Sequence, residues 1–236
     1  MSTNNFVKSK LYRFLDYVLR LVLLNFLVVI PSFSILMIYS LFSKDTESIW
    51  FYLTLLPLLL WLFPSVVATA DVIRQYEDNQ TNTIFKDFFK SLKKHYLKSF
   101  ISGIIIFLLI FLLYNSFTYF STNQNKDIVY LIGLLLTISF IVTLALVVVH
   151  IPLVFIYFSG MSFFEYIQLA LIMAFKGIGT TILIVIAVLI VLFISFMYYI
   201  VMIVCGISIA IYLIVKLSFK QYIKIYRKVE EEWWKI

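Results

Sequence analysis

The chain predicts an all-α polytopic transmembrane bundle of six spans with amphipathic helices at one end, and three observations lead there. Five apolar runs, Leu21 to Phe42, Ile49 to Ala70, Phe100 to Phe120, Ile128 to Phe158 and Ile178 to Leu217, each exceed the roughly 20 residues that cross a hydrocarbon core of about 30 Å. The composition is 63% hydrophobic and 13% charged, about half the charged share of a soluble domain. Seventeen of the 19 Lys and Arg residues fall on one side of the runs, leaving only Lys44 and Lys126 for the other. The basic side of such a bundle is the cytoplasmic one, so both termini are expected in the cytoplasm of a bacterial inner membrane protein, as a single domain over residues 1–236.

The elements follow in order. Val7, Leu11, Phe14, Leu15 and Val18 recur at helical spacing opposite Lys8, Lys10, Arg13 and Asp16, which gives an amphipathic helix over 6–20. The first span, 21–42, runs on past the small residues Ser32 and Ser34, so the basic start reads as an uncleaved span and not a signal peptide. After the second span, 49–70, a basic helix over 84–98 sets Phe85, Phe88, Phe89, Leu92 and Tyr96 against Lys86, Lys90, Lys93 and Lys94. Such a helix can lie in the interface with its aromatic residues down. The third and fourth spans cover 100–120 and 128–150. Pro152, beside His150, removes a backbone donor and kinks or ends the fourth helix.

Ser162-Phe163-Phe164-Glu165 is a capping-box pattern, with Met161 and Tyr166 placed for a hydrophobic staple and Gly177 for a left-handed stop. The helix between them, 163–176, is about 21 Å long, too short to span, and is expected against the bundle or in the interface. The last apolar run of forty residues would be about 60 Å long as one helix. It is therefore divided into spans 178–196 and 200–217 at Met197, Tyr198 and Tyr199, although this turn lacks the usual turn formers. Gly206 offers an alternative break that would leave the last span too short. A final amphipathic helix, 218–234, carries Phe219, Tyr222, Ile223, Tyr226 and Trp233 opposite Lys220, Lys224, Arg227 and Glu231.

A net charge of +7 distributed beside membrane exits points to anionic lipid of the cytoplasmic leaflet and away from nucleic acid. Cys205 is the single cysteine, which excludes an internal disulfide. His95 and His150 have no Cys, Asp or Glu at ligand spacing, so no metal and no cofactor is expected. His95 falls on the polar side of its helix and reads as solvated; His150 reads as hydrogen-bonded to a neighbouring helix. Asp71 and His150 are the only serious candidates for an ion-carrying group within the runs or at their ends, both near the cytoplasmic boundary, whereas ion-coupled carriers keep charge at depth. No nucleophile, base and acid come together and no phosphate-binding loop occurs, so no enzyme is expected. Asn25 and Asn115 read as amides bonding between helices. Lys86, Lys90, Lys93, Lys94 and Glu165 are the candidate contacts to lipid or to a partner.

One resemblance adds to this reading. Leu62-Phe63-Pro64-Ser65-Val66-Val67-Ala68, Arg74, and Ile84-Phe85-Lys86-Asp87-Phe88-Phe89 before Lys93, Lys94 and Lys98 resemble the YesL-like family of bacterial integral membrane proteins. So do the aromatic and basic opening through Arg13 and Arg20 to Leu24-Asn25, Ile151-Pro152-Leu153, and the short helix ending Ala174-Phe175-Lys176. Val66 and Val67 depart from the small residues usual after the family's Phe-Pro. The resemblance implies a domain without a defined activity or catalytic residues, associated with carbohydrate uptake. A non-enzymatic accessory or regulator touching transporter subunits is thus expected, the alternative being a permease-like conduit for a small solute.

Overall fold

The computed structural model describes residues 10–42, 49–78, 83–122, 128–158 and 160–233, and within them every side chain except 10, 13, 33–42, 49–59, 220–221 and 224–233. Among the described residues the regular structure is helical throughout. The helices are α1 (Lys10–Phe42), α2 (Ile49–Glu77), α3 (Ile84–Thr122), α4 (Ile128–Val148), α5 (Ile151–Tyr157), α6 (Phe163–Lys176), α7 (Ile178–Met197), α8 (Tyr199–Val201) and α9 (Ile207–Trp233), with a π-helical segment, Met202–Gly206, between the last two. Five stretches within the described residues are long and apolar enough to cross a membrane: Phe14–Ser32, Ile84–Thr122, Ile128–Tyr157, Ile178–Met197 and Tyr199–Phe219.

Three of the four amphipathic segments are not separate helices. The described parts of 6–20, 84–98 and 218–234 continue without a break into or out of α1, α3 and α9. Nothing at these junctions interrupts an α-helix: none has Gly or Pro, and the hydroxyls near the α3 junction bond inside their own helix. Ser99 Oγ donates to the His95 carbonyl at 2.6 Å and Ser102 Oγ to that of Lys98 at 2.8 Å. As one helix of 39 residues, α3 is about 58 Å long, well beyond a hydrocarbon core.

The fourth segment, α6, does stand apart. Gly160, at φ +95°, turns the chain in the left-handed region before it. The Ser162 backbone N–H then donates to Glu165 Oε2 at 2.7 Å, which is the capping box. At the far end Gly177 is not left-handed; its φ and ψ are −113° and 39°. Its N–H still closes α6 onto the Met173 carbonyl and its own carbonyl accepts the Thr181 N–H, so one residue joins α6 to α7 and no left-handed stop is needed.

The proline and tyrosine breaks have simple causes. α4 ends at Val148, and Pro152 sits in the first turn of α5, where a helix lacks a partner for its N–H anyway. Tyr198 is extended, with φ −120° and ψ 90°, a conformation open to any residue, so the last apolar run divides there without Gly or Pro. The Tyr198 N–H closes α7 on Ile194 and its carbonyl accepts the Val201 N–H at 2.8 Å, starting the next helix. Gly206 is not a break; it lies buried in the π-helical segment.

The core gathers around Leu24, Val67, Phe88, Val154, Met173 and Tyr222, toward the end that carries the basic residues. Away from it, α3, α4 and α7 expose Leu112, Tyr114, Leu135, Phe140, Leu189 and Phe193. A contiguous apolar surface of this kind marks contact with lipid or with other protein.

Candidate functional site

Toward the basic end, polar side chains from five elements form one buried chain. Asp71 and Arg74 are one turn apart on α2, and Ser91 and His95 one turn apart on α3, on the face that Phe88 and Leu92 press inward. Ser91 Oγ donates to Asp71 Oδ2 at 2.7 Å. His95 Nε2 lies 3.7 Å from the same oxygen and Arg74 Nη2 3.7 Å from Oδ1, both ion-pair distances too long for hydrogen bonds. Arg74 Nη1 donates to the Ile156 carbonyl of α5 at 2.9 Å, and the guanidinium stands 5.2 Å from the centre of the Tyr157 ring.

From Tyr157 the chain continues through aromatic contact. Its ring lies 5.1 Å from that of Tyr222 on α9. The Tyr222 hydroxyl is 3.1 Å from His150 Nδ1, and His150 Nε2 is 2.9 Å from Thr181 Oγ1 on α7. Thr181 donates to backbone carbonyls at Ala174 and Gly177, so its oxygen accepts from the imidazole. This puts the imidazole proton on Nε2 and leaves Nδ1 to accept from the Tyr222 hydroxyl, which also lies 3.4 Å from the His150 carbonyl.

The two halves differ in how tightly they close. Around Asp71, five buried atoms lack a hydrogen-bond partner among the described residues: Thr69 Oγ1, Asp71 Oδ1, Arg74 Nε, His95 Nε2 and Tyr157 Oη. Asp71 lies just beyond the second apolar run. Burial alone would push its carboxyl up, but the His95 imidazole, the Ser91 hydroxyl and the Arg74 guanidinium outweigh that and hold it at about 2. Tyr222, beyond the last apolar run, is pushed well above the usual phenol range by burial, which keeps its proton available to His150.

Sequence reasoning named Asp71 and His150 and found their neighbourhoods incompletely. His95 is not solvated: it is 6% exposed and faces Asp71, because α3 runs on straight and packs its inner stripe against α2. That stripe was visible as Ser91, His95, Ser99 and Ser102 at helical spacing with Phe88 and Leu92. Arg74 was visible as the i+3 neighbour of Asp71. Tyr157 and Thr181 carried no local signal and Tyr222 showed only as an aromatic on an amphipathic face, since their contacts link distant segments. Lys86, Lys90, Lys93 and Lys94 occupy the exposed face of α3, and Glu165 holds the Ser162 cap.

Asn25 belongs to a second polar site. Its Nδ2 donates to the carbonyls of Met202 at 2.9 Å and Ile203 at 2.7 Å, and its Oδ1 accepts the Ser208 N–H at 3.0 Å. A π-helical turn shifts its hydrogen bonds by one residue, and this amide bonds to the backbone on both sides of that shift. α7 closes over the same segment: a Cβ on Gly206 would come within 2.5 Å of Ser195 Oγ. Asn115 does not bridge helices. Among the described residues it is exposed on α3 and donates to the Phe111 carbonyl of its own helix at 2.7 Å.

Residues 45–117 match the family model described as "Protein of unknown function, DUF624". This segment is less than half of the chain, and it contains Asp71, Arg74, Ser91 and His95, the α2–α3 half of the buried chain. No curated protein and no solved structure matches.

Proposed function

We propose that the chain is a non-enzymatic protein of the bacterial inner membrane, with both termini cytoplasmic, that assists or regulates a carbohydrate uptake system by docking on its membrane subunits. The observation that carries this reading is the two-sided character of α6. Tyr166, Ala170, Met173 and Ala174 are buried in the bundle, while Phe164, Ile172 and Phe175 on the other side are exposed. The bias of basic residues supports a cytoplasmic position for this short helix, where the exposed side would meet a partner. α6 is also tied to the buried chain, since Ala174 accepts from Thr181 and Tyr166 accepts from Lys98 Nζ at 2.9 Å. Docking there would therefore bear on the helices behind it. The link to carbohydrate uptake comes from the resemblance to YesL-like proteins.

Copurification from the native membrane tests it. Sugar-transporter subunits should be recovered with the full chain and lost with the double variant Phe164→Ser/Phe175→Ser, whose thermal unfolding should stay close to wild type because both rings are exposed. Equal recovery with the double variant would remove α6 as the docking element. Asp71→Asn and His150→Gln should leave any sugar-dependent growth effect largely intact; proton-coupled sugar uptake by the purified chain that vanished on either change would instead favour a carrier.

The permease-like reading has one observation of its own. Irregular helix at membrane depth is tolerated where it is buried in protein or lines a cavity, and π-helical turns are frequent at functional sites. The Met202–Gly206 segment is such a π-helical turn: Asn25 holds two of its carbonyls and Gly206 is buried, while Met202 and Ile203 are exposed. Solute flux in proteoliposomes of the purified chain, abolished by Asn25→Leu, would favour this second reading.

A further inference from the structure

α1 and the start of α3 pass each other across a groove of about 420 Å³ at the basic end, lined by Leu19, Arg20, Thr83, Ile84, Phe85 and Lys86, with Asp16 at one side. Of its two cations, Arg20 is paired with the lining carboxylate Asp16 through Nε alone, and Lys86 is unpaired among the described residues. Arg20 Nε bonds Asp16 Oδ2 at 2.8 Å and the guanidinium is steadied 4.5 Å over the Tyr76 ring. That leaves the two Nη groups without a hydrogen bond among the described residues. Asp16 also accepts from the Tyr76 hydroxyl, and Asp87, in the first turn of α3, accepts from the Thr83 backbone N–H at 3.3 Å. Lys86 is exposed and makes no ion pair among the described residues.

The same groove has an apolar lip. Leu19 and Phe85 are 58% and 54% exposed, and Leu15 and Phe89 extend the surface along their helices. A soluble anion would use the cations and leave this lip in water. A phospholipid would use both, since Arg presents a planar fork to phosphate and Lys a point charge while acyl carbons cover leucine and phenylalanine. The apolar stretch of α1 begins at Phe14, so Leu19 and Arg20 fall within it.

We propose that this groove seats one anionic glycerophospholipid, its phosphate between Arg20 and Lys86 and the upper part of its acyl chains against Leu19 and Phe85. The proposal rests on the reading that the basic end faces the anionic cytoplasmic leaflet, and it replaces a diffuse basic surface with a defined seat for one lipid.

Native mass spectrometry of the full chain, purified in detergent and mixed with palmitoyl-oleoyl phosphatidylglycerol or phosphatidylcholine, tests it. One phosphatidylglycerol should be retained per chain, at least about fivefold more readily than phosphatidylcholine, and Lys86→Gln should reduce that retention about fivefold, the effect of one basic residue near an anionic group. Phe85→Ser should weaken retention of phosphatidylglycerol as well, and millimolar inorganic phosphate should not displace it. Lys176→Gln, on the far side of α6, should change nothing. Both decisive side chains are exposed, so neither variant should disturb folding; Arg20→Gln, which also breaks the Asp16 bond, is supporting only. Equal retention of the two lipids, or wild-type retention by both Lys86→Gln and Phe85→Ser, would overturn the proposal. Displacement by phosphate would reassign the groove to a soluble anion. Detergent removes membrane orientation from this measurement, so its failure leaves the topology standing. Topology is read separately with an impermeant thiol reagent in a background with Cys205 replaced, where cysteines at Lys44, Lys126 and Tyr198 should label from outside and those at Lys94 and Lys228 only after permeabilisation.

Discussion

In α1 the Asn25 amide crosses to the segment between α8 and α9, donates to two carbonyls and accepts a third bond from Ser208; in α3 the Asn115 amide folds back onto the Phe111 carbonyl one turn earlier. Both asparagines sit in long apolar runs, and the difference lies in what faces them. Asn25 faces a backbone whose regular ladder has slipped by one residue, so peptide groups there are available to a side chain. Asn115 is exposed, and among the described residues it bonds only to its own helix. An amide in an apolar run thus contributes what the opposite backbone leaves open, and the asparagine alone does not determine it.

The strongest way to break this comparison is to remove the amide that is used. Asn25→Leu deletes three hydrogen bonds and strands two carbonyls and one N–H in an apolar setting. The loss should be about 3 kcal/mol, since interhelical bonds in membranes are individually worth about 0.6 to 1.7 kcal/mol and stranded buried groups add to the cost. Reversible unfolding in mixed micelles would read it. A loss below about 0.5 kcal/mol would mean that the π-helical segment holds itself and that Asn25 is incidental.

A smaller effect is expected at Asp71, where the contacts are looser and several atoms stay unpaired. Its carboxyl is held at about 2 against an ordinary 3.8. A depressed carboxylate stabilises the folded state above the unfolded value and loses that contribution as pH falls through the folded one. The contribution should be about 2 kcal/mol, complete above pH ~4 and fading toward pH ~2. Asp71→Asn should remove it at neutral pH and flatten the stability profile across that window. An unchanged acid slope in the variant would show that other carboxylates govern the acid response and that Asp71 is less engaged than Asn25 by a wider margin.

The same contrast explains which features were legible in the sequence. Helix starts at Ile49, Ile128 and Ile178 were readable because polar residues stop there and apolar ones begin. The continuity of α1, α3 and α9 was not, because a basic amphipathic stretch has the same periodicity whether it lies flat or runs on straight. That one ambiguity hid His95: with α3 bent away it would be solvated, and with α3 straight its stripe meets Asp71. Tyr222 could be seen as an aromatic on an amphipathic face, but its bond to His150 joins residues 72 apart in sequence, and no local pattern encodes such a pairing. The slipped backbone at Met202–Gly206 was equally hidden, since Gly206 suggested a break and the helix instead widens there.

The mildest substitution sharpens the comparison most directly. Asn115→Leu removes a bond that closes on its own helix, so among the described residues no neighbouring element loses a partner, and the Phe111 carbonyl keeps its place in the helical ladder. The exposed position then gains an apolar side chain on a surface that already presents Leu112 and Tyr114. Stability should stay within about 0.5 kcal/mol of wild type, as for surface changes away from special features, and in mixed micelles any shift should be toward greater stability. A loss comparable to that of Asn25→Leu would show that Asn115 meets a partner outside this chain, most directly a second membrane protein packed on the outer part of α3, and its amide would then be read as an interface group.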